Sequence, residues 1–229
     1  IDIIARQPAT ARFVCRHLYN YFVADEPQIP AWQGIPPRDP EAIRMMEDAY
    51  FESGHNITAV LRVLFNSEFF KNARFAKVKS PVETVAGTMR LVQDFTHPKP
   101  GLHTIAMEIR YMGQDLLNPP TVEGWHTGAE WIDSGTLVER INFTADQVGN
   151  TSLPGIKAII DRLSSEGINW PEPFVDRCLD MLGAYELPDD TRDYLVEHVG
   201  KGGELEPGTD DYGQRVGQTL QLIVATQEY

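Results

Sequence analysis

Between Gln114 and Ser134 the sequence gathers the side chains best suited to holding a ligand. Trp125 and Trp131 stand six residues apart, with Gly124 and Gly128 beside them to allow close approach. Two indoles so placed could form a stacking platform for a sugar or a peptide. Gln114 and Asn118 could hydrogen-bond hydroxyls, and His126 and Glu130 add a titratable pair, so Gln114, Asn118, Trp125, His126, Glu130 and Trp131 form the candidate ligand-binding set. The competing expectation is a loop stapled to a helical body by burying its own indoles, with its prolines lowering the entropy of the unfolded chain. A hydrolytic reading is also open, because Glu108, Asp115, Glu123, Glu130 and Asp133 lie in or near the segment. Glycoside hydrolysis needs one protonated and one ionised carboxyl, about 5–5.5 Å or 6.5–9.5 Å apart, and spacing along a chain does not supply that distance.

Other chemistries find little support. The six histidines, His17, His55, His97, His103, His126 and His198, make no H-E-x-x-H pattern and join no cysteine ligand set. His97 and His103 flank a Pro-Lys-Pro-Gly turn that could bring them together, but solvated loop histidines are the simpler reading. Asp189, Asp190 and Asp193 lack the glycine and terminal glutamate of a calcium loop and read as first-turn acids of a helix. Gly200-Lys201-Gly202-Gly203 is too short for a phosphate loop, and neither a haem-attachment sequence nor a nucleophile elbow occurs. No metal and no cofactor is expected.

The elements that must position these residues read as helices. Ile57, Val60, Leu61, Leu64 and Phe65 fall on one stripe, as do Val82, Val85, Ala86 and Met89. Leu102, Ile105, Ala106 and Ile109 repeat the pattern, and so do Ile156, Ile159, Ile160 and Leu163. Val14, Leu18, Tyr21 and Phe22 mark an N-terminal helix, and Leu137, Ile141, Ala145 and Val148 another. Ser80-Pro81-Val82-Glu83, Asp39-Pro40-Glu41 and Asn56 supply starts, and Gly54, Gly113 and Gly167 supply stops. Three stretches resist a helix: Glu26–Pro37, a rigid proline-rich connection around Trp32; Gln114–Ser134; and the Gly-rich, acidic Gly200–Asp211. Val63–Phe69 and Ile223–Tyr229 share an apolar helix end followed by Glu and an aromatic plug. The fold class expected is all-α, an irregular multi-helix bundle with a long Pro/Gly/Trp surface loop. One helical domain over 1–229 is expected, with a sub-boundary near 114–134.

Composition bounds the function. The 229 residues are 42% hydrophobic and 10% aromatic, which excludes a mostly disordered chain. Lys and Arg number 20 against 33 Asp and Glu, a net charge of −13, which argues against a nucleic-acid partner or charge-driven membrane binding. The charge is uneven: residues 1–114 carry 13 basic and 12 acidic side chains, and residues 115–229 carry 7 and 21. An acidic interaction face and a merely solubilising surface both fit. No apolar run approaches bilayer length, so no membrane insertion is expected. Cys15 and Cys178 each lie in an apolar helical pattern, as two buried thiols or as one bridge if the fold joins them. The chain opens at Ile1 with no signal-peptide pattern, as an internal or processed piece would.

One region also resembles a known family. Met112-Gly113-Gln114, Asn118-Pro119-Pro120, Val122, Gly124-Trp125, Gly128, Trp131-Ile132 and Leu137 through Arg140-Ile141-Asn142-Phe143 resemble the DUF1800 pattern M-G-Q, P-P-x-V-x-G-W, G-x-x-W-I and L-x-x-R-x-N-F. Val60–Phe69, Lys79–Glu83 and the closing Leu222–Tyr229 are similar to it as well. His126 departs from the proline that commonly follows the Gly-Trp pair. The resemblance implies the C-terminal half of a larger bacterial protein and an exported, periplasmic or extracellular setting. It further implies a partner of the DUF1501 type, a sulfatase-like group. It carries over no catalytic residue, because the family has no established activity. The function expected is a non-catalytic binding or scaffold module that engages a partner protein or an extracellular polysaccharide. The alternative is a carbohydrate-active hydrolase, or a co-catalyst of one, using the carboxylates near the Trp loop.

Overall fold

The computed structural model describes residues 1–183 and 186–229 and is all-α; the described residues form no strand, only one isolated bridge between Thr121 and Gly124. Twelve α-helices lie among them: α1 (Asp2–Ala5), α2 (Pro8–Phe22), α3 (Pro40–Glu52), α4 (Ile57–Asn66), α5 (Glu68–Lys71), α6 (Pro81–Val92), α7 (Leu102–Tyr111), α8 (Ser134–Gly149), α9 (Pro154–Ser165), α10 (Pro171–Leu182), α11 (Asp189–Lys201) and α12 (Asp210–Val224). α1 and α5 are single turns, too short to show a periodic stripe. The chain divides into two compact units, Ile1–Ser80 with Pro119–Ile132 and Pro81–Asn118 with Asp133–Tyr229. The 114–134 region is thus cut at 118/119 and 132/133, and the remaining boundary falls at the Ser80-Pro81 step.

The first unit packs α2 against α3 and α3 against α4 around Ala11, Cys15, Tyr19, Ile43, Met46, Val60 and Leu64. Two helix starts expected from sequence hold here. Asp39 accepts from the Ala42 amide at 3.0 Å and Asn56 from the Thr58 amide at 2.9 Å, each satisfying an N-terminal donor that has no intrahelical partner. The apolar face of α2, however, is rotated from the expected stripe. Ala11, Cys15, Arg16 and Tyr19 are buried, whereas Tyr21 is exposed, because Arg16 enters the interior with a partner of its own. The proline-rich 26–37 stretch is not wholly extended. Ile29–Gln33 forms a 3₁₀ turn with Pro30 near its start, where a missing amide proton costs nothing.

The second unit is built on α12, whose buried face of Tyr212, Val216, Leu220, Ile223 and Val224 meets α8, α9, α10 and α11. Thr209 caps α12, accepting from the Tyr212 amide at 3.2 Å, so the third interruption narrows to residues 202–209. On α8 the buried positions are Arg140, Phe143, Thr144 and Val148, again turned from the expected set, and Leu137 is exposed. Arg140 reaches Thr84 of α6 at 3.2 Å. The two aromatic plugs behave alike: Phe69 packs on the first core and Tyr229 on the second. Cys15 and Cys178 are free thiols buried in separate cores.

Candidate functional site

The six candidate residues divide between the two units. In the second, Gln114 is buried and its Oε1 accepts the Val82 amide at 2.9 Å, which satisfies a first-turn donor of α6. Asn118 is exposed and donates from Nδ2 to Asp115 at 3.1 Å, a local turn contact. Gln114 thus holds backbone, and Asn118 is held to a neighbouring carboxylate.

In the first unit, Gly128–Trp131 forms a 3₁₀ turn that returns the segment to the helical body. Gly128 sits at φ +61°, and a side chain there would strike Asp25, whose Cβ lies 2.8 Å from where the new carbon would stand. Only glycine tolerates both conditions. Asp25 is itself fixed by the Val78 amide at 2.8 Å and Lys77 at 3.1 Å. Trp131 is 5% exposed, so this indole is a plug and not a platform. Trp125 is half-buried. The stapled-loop expectation describes Trp131, and the stacking expectation does not.

His126 and Glu130 meet on this turn, one helical turn apart. His126 Nδ1 lies 2.9 Å from Glu130 Oε2, and Gln28 Nε2 donates to the same oxygen at 3.0 Å. The imidazole also meets the Trp131 ring edge-on at 5.9 Å. Hydrogen bonds from Gln28 and then His126 hold the Glu130 carboxyl below its usual range, opposite to what a general acid needs. Asp133 is likewise lowered, by the amides of Thr136 and Gly135 in the capping box of α8. Glu108, on α7, has its carboxyl raised through burial and then by the nearby Glu139 and Asp146.

A feature that sequence reasoning passed over lies in the first unit, where a solvent-open cavity of about 570 Å³ is lined by Arg12, Arg16, Trp32, Gly34, Pro36, Pro37, Ile43, Arg44 and Glu47, among others. Its far wall is the proline-rich stretch, which the sequence presents only as a connection. The available signal was Arg16 on the buried face of α2, a cation on a stripe where Ala11, Cys15 and Tyr19 are apolar. A second cavity, of about 460 Å³, lies in the second unit between α9 and the start of α12, lined by Lys157, Asp161, Ser164, Thr209 and Gln214 among others. None of the five candidate carboxylates lines either cavity.

Fold and site together define an all-α protein whose Trp-bearing segment is anchored by its own side chains. The chain belongs to the DUF1800 family, a protein family of unknown function whose model matches residues 1–229. No curated protein and no solved structure matches it.

Proposed function

We propose that this chain is a non-catalytic binding or scaffold module of an exported bacterial protein, and that it engages a partner protein through the aliphatic tip of the 114–134 segment. The observation that carries this reading is Leu117. Its side chain is 96% exposed and its backbone is held at φ +64°. A non-glycine residue in the left-handed region costs on the order of 1 kcal/mol, and an exposed leucine returns none of it. Strain spent on presenting an apolar side chain to water is recovered when a partner covers it. Leu116 beside it is also exposed, and the prolines that follow at 119 and 120 stiffen the segment, which lowers the ordering cost of binding. Aliphatic side chains of this kind fit protein grooves, whereas sugars favour exposed aromatic faces, and Trp131 is withdrawn.

The family supports a periplasmic or extracellular setting and a DUF1501-type partner. None of the helices among the described residues is long and apolar enough to cross a membrane. The lowered Glu130 and Asp133 carboxyls, neither of which lines a described cavity, weigh against the hydrolase alternative.

The test is association with a DUF1501-type protein encoded beside it, read by calorimetry. The expected result is a defined complex that Leu117→Gly weakens about tenfold, equal to about 1.4 kcal/mol, while the melting temperature holds or rises because the strain is relieved. No complex, or one indifferent to Leu117→Gly, overturns the reading.

A further inference from the structure

The cavity of the first unit has a polar rim, an apolar floor and a wall fixed in advance. The wall is held by a buried ion pair: Arg16 and Glu26 have side chains 3% and 0% exposed, with Nη2 2.7 Å from the carboxylate. Arg16 also donates to the carbonyls of Ile35 at 2.9 Å and Pro36 at 3.2 Å, and the free carboxylate oxygen of Glu26 accepts the Arg38 amide at 2.8 Å. Trp32 is clamped as well. The Arg16 guanidinium lies 4.6 Å from its ring, His17 packs against it at 4.8 Å, and its Nε1 donates to the Pro27 carbonyl at 2.6 Å. A buried ion pair contributes little net stability, and this one is spent on shaping a surface wall. A wall ordered beforehand removes the entropy cost that a flexible loop would impose on a ligand.

On the rim, Arg12 Nε donates to Glu47 Oε1 at 2.9 Å. Among the described residues this is the sole hydrogen bond of either side chain, so both Nη groups and the second carboxylate oxygen stay open to a ligand. Arg44 is engaged by Glu41 and Asp48. The three arginines of the cavity therefore face Glu26, Glu41, Glu47 and Asp48, and neither sign of charge is in excess by more than one. A charged ligand finds no net attraction here. A hydroxyl does, because it can accept from a guanidinium and donate to the carboxylate paired with it. The C–H faces of a pyranose ring match the floor at Ile43 and the wall of Pro36 and Pro37.

We infer that this cavity is a binding site for a neutral saccharide unit, with Arg12 and Glu47 recognising its hydroxyls and the proline wall receiving its ring face. The inference stands apart from the partner-protein reading, which rests on Leu117. A cavity this open gives weak binding to a single sugar unit, in the millimolar range, that becomes useful through repetition along a polymer.

The experiment is an NMR titration of the full chain with cellobiose, maltose and N,N′-diacetylchitobiose, with glucuronate and glucosamine as the anionic and cationic arms. The expected result is saturable shifts of the Trp32 indole with at least one neutral disaccharide by about 10 mM, weakened at least tenfold by Arg12→Leu and by Glu47→Gln. Arg12 is largely exposed, so Arg12→Leu keeps the fold, and an unchanged melting temperature confirms it. Silence from all three disaccharides, a preference for glucuronate or glucosamine, or binding unchanged in both variants overturns the inference. Complex formation with a DUF1501-type protein remains a separate readout, so either reading can fail alone.

Discussion

Arg16 brings a full charge into the interior of the first unit, and its neutralisation is local and complete. Removing one partner leaves the other buried and uncompensated, so Arg16→Leu is expected to cost about 3–5 kcal/mol, read by urea unfolding. Arg16→Met with Glu26→Leu removes both charges together and is expected to restore most of that stability while the cavity wall loses its anchor. Burial dominates the thiols in a different way. It pushes Cys15, helped by nearby Glu47, and Cys178 up from 9.0 to about 12. Neither thiol is then a nucleophile at neutral pH. Ellman's reagent is expected to titrate no cysteine in the native protein at pH 8 and both in guanidinium. Burial also raises Tyr212 to about 12, where its hydroxyl donates to the Ile168 carbonyl at 2.9 Å. These groups hold their protons more tightly when folded, so their contribution is complete below the unfolded values and fades as pH climbs towards 12. Alkaline unfolding monitored by circular dichroism is expected to begin above about pH 9. Loss of native signal at neutral pH with intact stability in alkali would contradict the assignment.

Helix contacts turn on small residues as much as on large ones. Gly155 opens α9 against the end of α6 so closely that an added Cβ would collide with the Leu91 carbonyl oxygen, which is backbone and has no room to yield. Gly155→Ala is expected to destabilise by about 1–3 kcal/mol or more, checked by denaturant midpoint at constant slope. Thr209→Ala removes the cap of α12, the helix with the broadest buried face, and is expected to cost about 1 kcal/mol by the same measurement. The contrast between the two is the informative part, since the cap is a contact within one turn and the glycine contact joins two helices. Periodicity located α2, α4, α6, α7, α8 and α9, and the expected caps at Asp39 and Asn56 are present. It misjudged which way α2 and α8 face, because a stripe drawn through apolar residues alone skips Arg16 and Arg140, whose partners Glu26 and Thr84 lie outside their own helices, and Thr144, which bonds back to the Arg140 carbonyl.

The charge stays uneven when the chain is divided by contact, though less sharply than when it is halved along the sequence. The first unit carries 10 basic and 11 acidic side chains, and the second 10 and 22. Self-repulsion therefore burdens the second unit, and salt that screens it should stabilise that unit selectively. Hydrogen exchange followed by mass spectrometry is expected to show α8 and α12 amides slowing between low and moderate sodium chloride, with α2 and α3 little changed. Equal slowing in both units would refute this. The all-α class, the caps at Asp39 and Asn56, the plugs at Phe69 and Tyr229 and the family pattern were all readable from residue order, because each depends on neighbours within a turn or two. The candidate site was readable only as a list of residue types. Gln114 turned to the Val82 amide and Glu130 took a bond from Gln28, 32 and 102 residues away, while Asn118 and His126 found partners within a turn and Trp131 went into the body. The cavity walled by Pro36 and Pro37 arose where the connection that follows α2 folds back onto Arg16, 10 to 20 residues earlier. Local order sets which segments coil and where they stop; which polar side chain is buried, and against what, depends on a partner distant in sequence, and only packing in three dimensions supplies it.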